Sequence, residues 1–324
     1  TMSYSVTGVQ TCALPISSSK NLAIVIGDIN IDIITPPFDP AVLKEGETSC
    51  VLDEFTMSLG GNAINVAAAL AALGDNHVFL GGIGDCAISD WIQKKCKTLG
   101  VHTQLSVLPG KTAGITFALT YFGGKRQFVA TLGTNKQITA EKLDLEPLKK
   151  AQKPFHVHRA GFWYTPLLKG QPTIDIFKKT VAKGGETSID VGWDPENFTD
   201  QNRELLYKTL NYTNYFFANE KEILAITKKS NVIDAQKELL DISTAIEDPK
   251  IVLHRGEKGC AVISRGDTLQ IDPFPVKNVI NPTGSGDVFN GGFIHGLLHE
   301  WPLLQSAEFA GKLAAVHLDR KSVV

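Results

Sequence analysis

Cysteine is scarce in this chain of 324 residues, and no CxxC pair occurs. The five that are present, Cys12, Cys50, Cys86, Cys96 and Cys260, are too few and too scattered for a disulfide framework. That pattern points to reduced thiols and a cytoplasmic protein. No block of like charge occurs either. The net charge is −2, and the lysines and arginines are dispersed, which argues against a nucleic-acid partner or an anionic membrane surface. The longest uncharged stretch, Phe55 to Gly74, carries three glycines, two asparagines and a serine. It reads as a loop and a buried helix, not as a membrane span. The opening "TMSYSVTGVQTCALPISSS" has no basic n-region and no apolar core, so it is not a secretory signal. What remains is a hydrophobic content of 43%, enough to core one large α/β domain or two modest ones.

The two ends differ in texture from the rest. Residues 1–20 show no helix or strand period and resemble translated sequencing-adapter sequence, as does the closing "DRKSVV". The expectation is that residues 1–20 and 319–324 are non-native, with a genuine tail as the alternative. Residues 21–318 then carry the fold.

Along that segment short apolar runs alternate with helical periods. "NLAIVIGD" (21–28) reads as a strand buried on both faces. "NAINVAAALAALG" (62–74) reads as a helix closed by Gly74. "HVFLGGIG" (77–84) is strand-like, and "SDWIQKKCKTLG" (89–100) is a helix with Ser89 or Asp90 near its cap. "ITFALTYFGGKRQFVATLG" (115–133) is a hairpin turning at Gly123–Gly124, which interrupts the alternation and implies a small accessory sheet. Strand-like "FHVHRAGF", "ETSIDV", "TNYFFAN" and "KIVLHRG" follow, separated by helical stretches, and the chain closes with two helices. The expected fold is three-layer α/β, a mostly parallel sheet with helices on both faces plus a small β-sheet.

Two phosphate motifs fail on inspection. "GKT" (110–112) would need a glycine at 105, where Leu105 stands. "GIGDCA" (82–87) fits a loose dinucleotide pattern, but the acidic residue expected about 20 positions later is absent, which disfavours an oxidoreductase. His295 and His299 stand four apart on a predicted helix, with no third ligand evident in the sequence. They read as surface or packing residues.

"NPTGSGDVFNGGF" (281–293) is different. Gly284, Ser285 and Gly286 precede a helix that starts at about Asp287. Glycines there leave backbone amides bare, and the helix terminus favours an anion. An anion site beside a carboxylate suits phosphoryl transfer to an alcohol, with Asp287 ionised by the helix end. "GDINID" places Asn30 and Asp32 on one side of an extended chain, and "LGGNAIN" places Asn62 and Asn65 on one helix face behind Gly60 and Gly61. Such amides and carboxylates can read sugar hydroxyls. Taken singly, Asn62 could be a helix cap, and Asn219 with Glu222 in "NEKE" could be a capping box.

Together, in this order, these motifs resemble the ribokinase-like (PfkB) family of carbohydrate kinases over about residues 21–318. The resemblance implies an ATP- and Mg²⁺-dependent kinase acting on a sugar or nucleoside, on the ribokinase-like fold, with lid segments at about 31–58 and 113–133. It implies Asp287 as catalytic base and the amides of Gly284, Ser285 and Gly286 as anion hole. Asn30, Asp32, Gly60, Gly61, Asn62 and Asn65 fall on or beside substrate positions. Asn219, Glu222, His254, Gly256 and Gly259 fall on nucleotide positions, with Glu222 reaching Mg²⁺ through water. The family's second signature opens with aspartate and threonine, where this chain has Asn281 and Pro282; position 281 matches a monovalent-cation ligand, and K⁺ is the cation implied there. His254 stands where threonine or lysine is common, and family members usually continue past "KLAAVHL". Arg126 and Arg159 are candidates for an acidic sugar, and "GFWYTP" and "GWDP" offer aromatics for stacking or for packing. The resemblance leaves a homodimer through the lid as an expectation. The rival reading is a sugar-binding or regulatory protein on the same fold that has lost catalysis.

Overall fold

The computed structural model describes residues 20–43, 52, 54–123, 125–277, 279 and 282–319. The adapter-like stretches therefore lie almost wholly outside the described residues, as do Gly124 and Asn281.

The chain begins with β1 (Leu22–Ile26), all five residues buried, as a continuous apolar run requires at the centre of a covered sheet. It then makes β2 (Asn30–Ile34), β3 (Thr56–Gly60), α1 (Asn62–Ala72), β4 (Asn76–Gly84), α2 (Ala87–Thr98) and β5 (Thr103–Leu108). The hairpin strands β6 (Gly114–Thr120) and β7 (Arg126–Thr131) pair antiparallel, Ile115 opposite Thr131, as the sequence predicts. Next come α3 (Glu146–Lys150), β8 (Phe155–Arg159), α4 (Gln171–Ala182), β9 (Glu186–Asp190), α5 (Asp200–Leu210), β10 (Tyr215–Asn219), α6 (Glu220–Thr227) and α7 (Val232–Ile242). The chain closes with β11 (Lys250–His254), β12 (Cys260–Ile263), β13 (Thr268–Ile271), α8 (Ser285–Leu298) and α9 (Leu303–Leu318).

The large sheet has nine strands in the order β13-β12-β11-β10-β9-β8-β1-β4-β5, parallel from β11 to β5 and antiparallel at the β12–β13 edge. β2, β3, β6 and β7 form a separate four-stranded sheet in the order β3-β2-β6-β7. Alternate residues of β1 face opposite cores. Leu22, Ile24 and Ile26 join one cluster with Phe177 of α4, Leu206 of α5 and Ile223 of α6. Ala23 and Val25 join another with Ala63, Val66 and Ala67 of α1 and Ile294 of α8. A third cluster packs Phe289 and Phe293 of α8 and Ala307 and Ala310 of α9 onto Phe217 and Val252. The result is the expected three-layer fold.

Two helix starts differ from the sequence reading. α2 begins at Ala87 with Cys86 at its cap, ahead of Ser89 and Asp90, because β4 already ends at Gly84. α8 begins at Ser285, two residues before the predicted start.

The strand order reverses around β1: β4 and β5 add on one side, β8 to β11 on the other. Parallel α/β sheets leave a crevice beyond the carboxyl ends of their strands at such a point. Asp28 follows β1, while Asp190, Asn219 and His254 close β9, β10 and β11. The sequence motifs converge on this edge.

Candidate active site

Asp28, just past β1, takes the place of a helix cap across the fold. Its carboxylate accepts from Asn62 N at 3.2 Å and Ala63 N at 3.0 Å, the first amides of α1. Asn62 is therefore not the cap; Gly61 occupies that position and has no side chain to offer. This fixes the start of α1, and with it Asn65 one turn further on. Asn65 Nδ2 donates to Asp287 Oδ2 at 2.8 Å. The two signatures thus meet in space, on helices that approach closely: a Cβ on Gly291 of α8 would fall 2.7 Å from Ala69 Cβ of α1.

Asp287 sits in the first turn of α8, buried. The helix terminus was expected to keep it ionised, and the structure corrects that. Burial pushes its pKa well above the usual aspartate range, and the carboxylates of Asp190, Asp28 and Asp32 push the same way. The Asn65 hydrogen bond opposes them but is outweighed. Gly284 stands at the cap with φ 79°, a left-handed conformation that suits glycine. Its neighbour Ser285 spends its amide on a long 3.4 Å bond to Pro282 O, whereas the Gly286 amide has no backbone partner among the described residues, as expected for a helix start. The preceding residue, Thr283, is held from two sides. Arg126 Nη1, at the start of β7, donates to its Oγ1 at 2.6 Å, and His317 Nε2 of α9 lies 2.9 Å from its carbonyl.

The second cluster lies on the small sheet. Asn30 Nδ2 donates to Asp32 Oδ1 at 2.6 Å and to Thr116 Oγ1 at 3.1 Å. Burial raises Asp32 to about 6. Gly60 pairs with Asn30 in the β2–β3 ladder, and a Cβ there would fall 2.2 Å from Asp32 Oδ1. Only glycine leaves the carboxyl that space. The Asn62 side chain faces the Gly192 backbone: a Cβ there would stand 3.4 Å from Asn62 Nδ2.

The third cluster closes the large sheet. Asn219 and Glu222 form a full capping box on α6: Asn219 Oδ1 accepts from Glu222 N at 2.9 Å, and Glu222 Oε2 accepts from Asn219 N at 2.8 Å. Burial, with the Asp190 carboxylate beside it, raises the Glu222 pKa. Asp190 accepts from Asn290 Nδ2 at 2.6 Å and from Gly192 N at 3.0 Å, and burial raises its pKa also. His254 lies opposite Asn219 in the β10–β11 register and stands edge-on to Phe289, ring centroids 4.7 Å apart. Burial holds it below the usual histidine range. Gly256 and Gly259 shape the β11–β12 turn, where a Cβ on Gly259 would strike Ile271 O at 2.0 Å.

Several participants were not singled out in the sequence: Asp28, Asp190, Asn290, Thr116 and His317. Asp28 and Asp190 shared one available signal, a carboxylate at or just past the C-terminal end of a parallel strand. Arg159 is 1% exposed and bonded to Ala160 O and Thr165 Oγ1. The aromatics of "GFWYTP" are largely core: Phe162 and Trp163 are buried against each other.

Comparison with known proteins gives the family. The model of the pfkB family carbohydrate kinases matches residues 20–324. The chain is 27% identical over 282 residues to cytidine kinase of Thermococcus kodakarensis, covering 86% of this chain and 90% of that one. It is 26% identical over 303 residues to ribokinase of Haemophilus influenzae, covering 92% of each. Among solved structures, a ribokinase II candidate from E. coli in complex with ATP and Mg²⁺ superposes with a TM-score of 0.76 at 20% identity, covering 93% of this chain and 94% of that one. The chain belongs to the pfkB family of carbohydrate kinases. No helix among the described residues is long and apolar enough to cross a membrane.

Proposed function

We propose that the protein transfers the γ-phosphoryl group of ATP to a hydroxyl of a sugar or nucleoside, with Asp287 as general base. The observation that carries this reading is the buried, proton-seeking Asp287 carboxyl held by Asn65 beside the first amides of α8. A carboxylate whose pKa is raised takes a hydroxyl proton more readily than an ordinary aspartate does. One oxygen is fixed by Asn65, which leaves Oδ1 for the substrate hydroxyl. As that proton moves to Oδ1, the hydroxyl oxygen bonds to the γ-phosphorus, the bond to the β–γ bridging oxygen breaks, and ADP leaves. The amides of Gly284 and Gly286, with Ser285 in a lesser part, carry the charge on the transferring group. Asp32, with Asn30 presenting it, orients the acceptor together with Asn62.

The residues present fit Mg²⁺-ATP. Asp190 and Glu222 are hard oxygen donors crowded together at a cost in ionisation, which a nearby divalent cation would relieve. Glu222, buried beside Asp190, is placed to take a cation-bound water, and buried His254 Nε2 lacks a partner that a phosphate oxygen could be. When bound, Mg²⁺ neutralises charge on the β- and γ-phosphates. The similarity to a cytidine kinase and a ribokinase supports the substrate range, and the ATP–Mg²⁺ complex of a protein with the same fold supports the cosubstrate. The small sheet is proposed to act as the lid. Phe117, Phe128 and Val129 stand exposed on it at 44%, 56% and 55%, which supports pairing with the lid of a second copy. The free thiols of Cys86, Cys96 and Cys260 support a cytoplasmic setting.

The test is ADP release with Mg²⁺-ATP across sugars, sugar acids and nucleosides, with and without K⁺, beside Asp287→Asn. Turnover on one substrate class that disappears in the variant is expected. Binding of a sugar or nucleoside with no ADP release would overturn the assignment. Sedimentation of the native chain and of Phe128→Lys tests the lid pairing.

A further inference from the structure

The two histidines that seemed unremarkable in the sequence acquire a third donor in the fold. Asp75 lies between α1 and β4, its carboxyl 3% exposed. His295 Nδ1, on α8, stands 3.0 Å from Asp75 Oδ1 and 2.9 Å from Oδ2, and His299 Nε2 stands 3.0 Å from Oδ1. One donor atom from each residue falls within 4.8 Å of the other two, and the imidazole centroids are 4.5 Å apart. We propose that Asp75, His295 and His299 form a binding site for a zinc-like divalent transition metal at the C-terminal end of α8.

The donor types choose the metal class. Two imidazole nitrogens and one carboxylate suit Zn²⁺, Co²⁺ or Ni²⁺ and not Mg²⁺ or Ca²⁺, which favour oxygen-only shells. Tetrahedral coordination with bonds of about 2.0–2.2 Å places donors roughly 3.4 Å apart. The two histidine–aspartate separations of 2.9–3.0 Å therefore need to open by about 0.4 Å, while the donors of the two imidazoles lie within 4.8 Å of each other. The His299 side chain is 42% exposed, which gives a route of entry and room for water as a fourth ligand. Trp301 and Phe309 pack on the His295 ring at centroid distances of 5.0 and 5.2 Å, which fixes its orientation as an outer shell does.

The role follows from position. Asn65 and Asp287 already tie α1 to α8 at their N-terminal ends. Asp75 follows the C-terminal end of α1, so a metal held there would tie the same helix pair at the other end. His295 is eight residues beyond Asp287, about 12 Å along the helix. The site therefore clamps the scaffold of the proposed base and takes no part in the transfer itself.

The experiment strips the full-length protein with a chelator and titrates it with Co²⁺, recording its visible d–d bands, then repeats the titration with Zn²⁺ against a chromophoric chelator. One equivalent is expected to bind with a four-coordinate spectrum and to raise the melting temperature. Since loss of an outer-shell partner alone costs about 10–100-fold in affinity, His299→Ala should weaken binding at least tenfold and abolish the bands. Asp75→Asn should do likewise, and Asp287→Asn should retain both. Absence of four-coordinate bands in the native protein would leave only a hydrogen-bonded Asp–His pair and overturn the site. Bands that survive His299→Ala would place the metal elsewhere, with the same consequence.

Discussion

Asn65 donates to Asp287 at 2.8 Å across 222 residues of sequence, joining the N-terminal turns of α1 and α8. This bond both aims the carboxylate and lowers its pKa against the burial that raises it. A hydrogen bond to a charged group contributes about 1.5–3 kcal/mol. Asn65→Ala should therefore push Asp287 further upward, so that the acid limb of kcat moves to higher pH. A pH–rate profile of the variant checks this; a limb that stays in place would show that Asn65 does not govern the base.

Asp287→Asn removes the proton acceptor and keeps the shape. Turnover should fall by about 10²–10⁴-fold, the usual contribution of a positioned base, while substrate affinity measured by calorimetry changes little. Folded Asp287 holds its proton more tightly than an unfolded chain does, so its contribution to stability is lost as pH rises. The variant should accordingly melt higher than the native protein at neutral pH.

Asp32 gives a titration window. The folded protein keeps this proton up to about 6, against an ordinary value of 3.8. Stability from the group is complete below the ordinary value and is lost as pH rises through about 6. Asp32→Asn should gain on the native protein in melting temperature between pH values of about 4 and 7, and lose substrate affinity throughout. A melting difference independent of pH would contradict the assigned shift.

Gly284 and Gly286 should separate folding from phosphate binding. At Gly284 the backbone is left-handed, and an alanine there costs roughly 1–2 kcal/mol. At Gly286 a Cβ would meet only His254, at an ordinary 3.6 Å. Gly286→Ala should thus fold with near-native stability and raise the KM for ATP by crowding the anion site. Thermal melts beside ATP saturation curves distinguish the two.

The elements of this fold were legible because their signals are local. Five buried apolar residues in a row make β1, Gly123 announces the hairpin, and "TGSGD" announces a helix start with bare amides. The capping box of Asn219 and Glu222 was equally plain at three-residue spacing. Asp28, which caps a helix 34 residues away, and Asp190, whose partner Asn290 is 100 residues distant, carry only the mark of a carboxylate at a strand end, and nothing local names their partners. Nothing in "FHVHRAG" reveals that the Arg159 side chain turns back to the Ile26 carbonyl of β1.

The chain by itself determined which elements form and which chemistry they carry, since periodicity, caps and glycine turns act over a few residues. Only the tertiary structure decided which carboxylates share a site and how strongly each holds its proton. Ionisation depends on burial and on charges brought close by packing, and those distances are set by the sheet order. The same holds for Asp75, which sequence separates by 220 and 224 residues from His295 and His299 at the end of α8 and the fold places in contact with both.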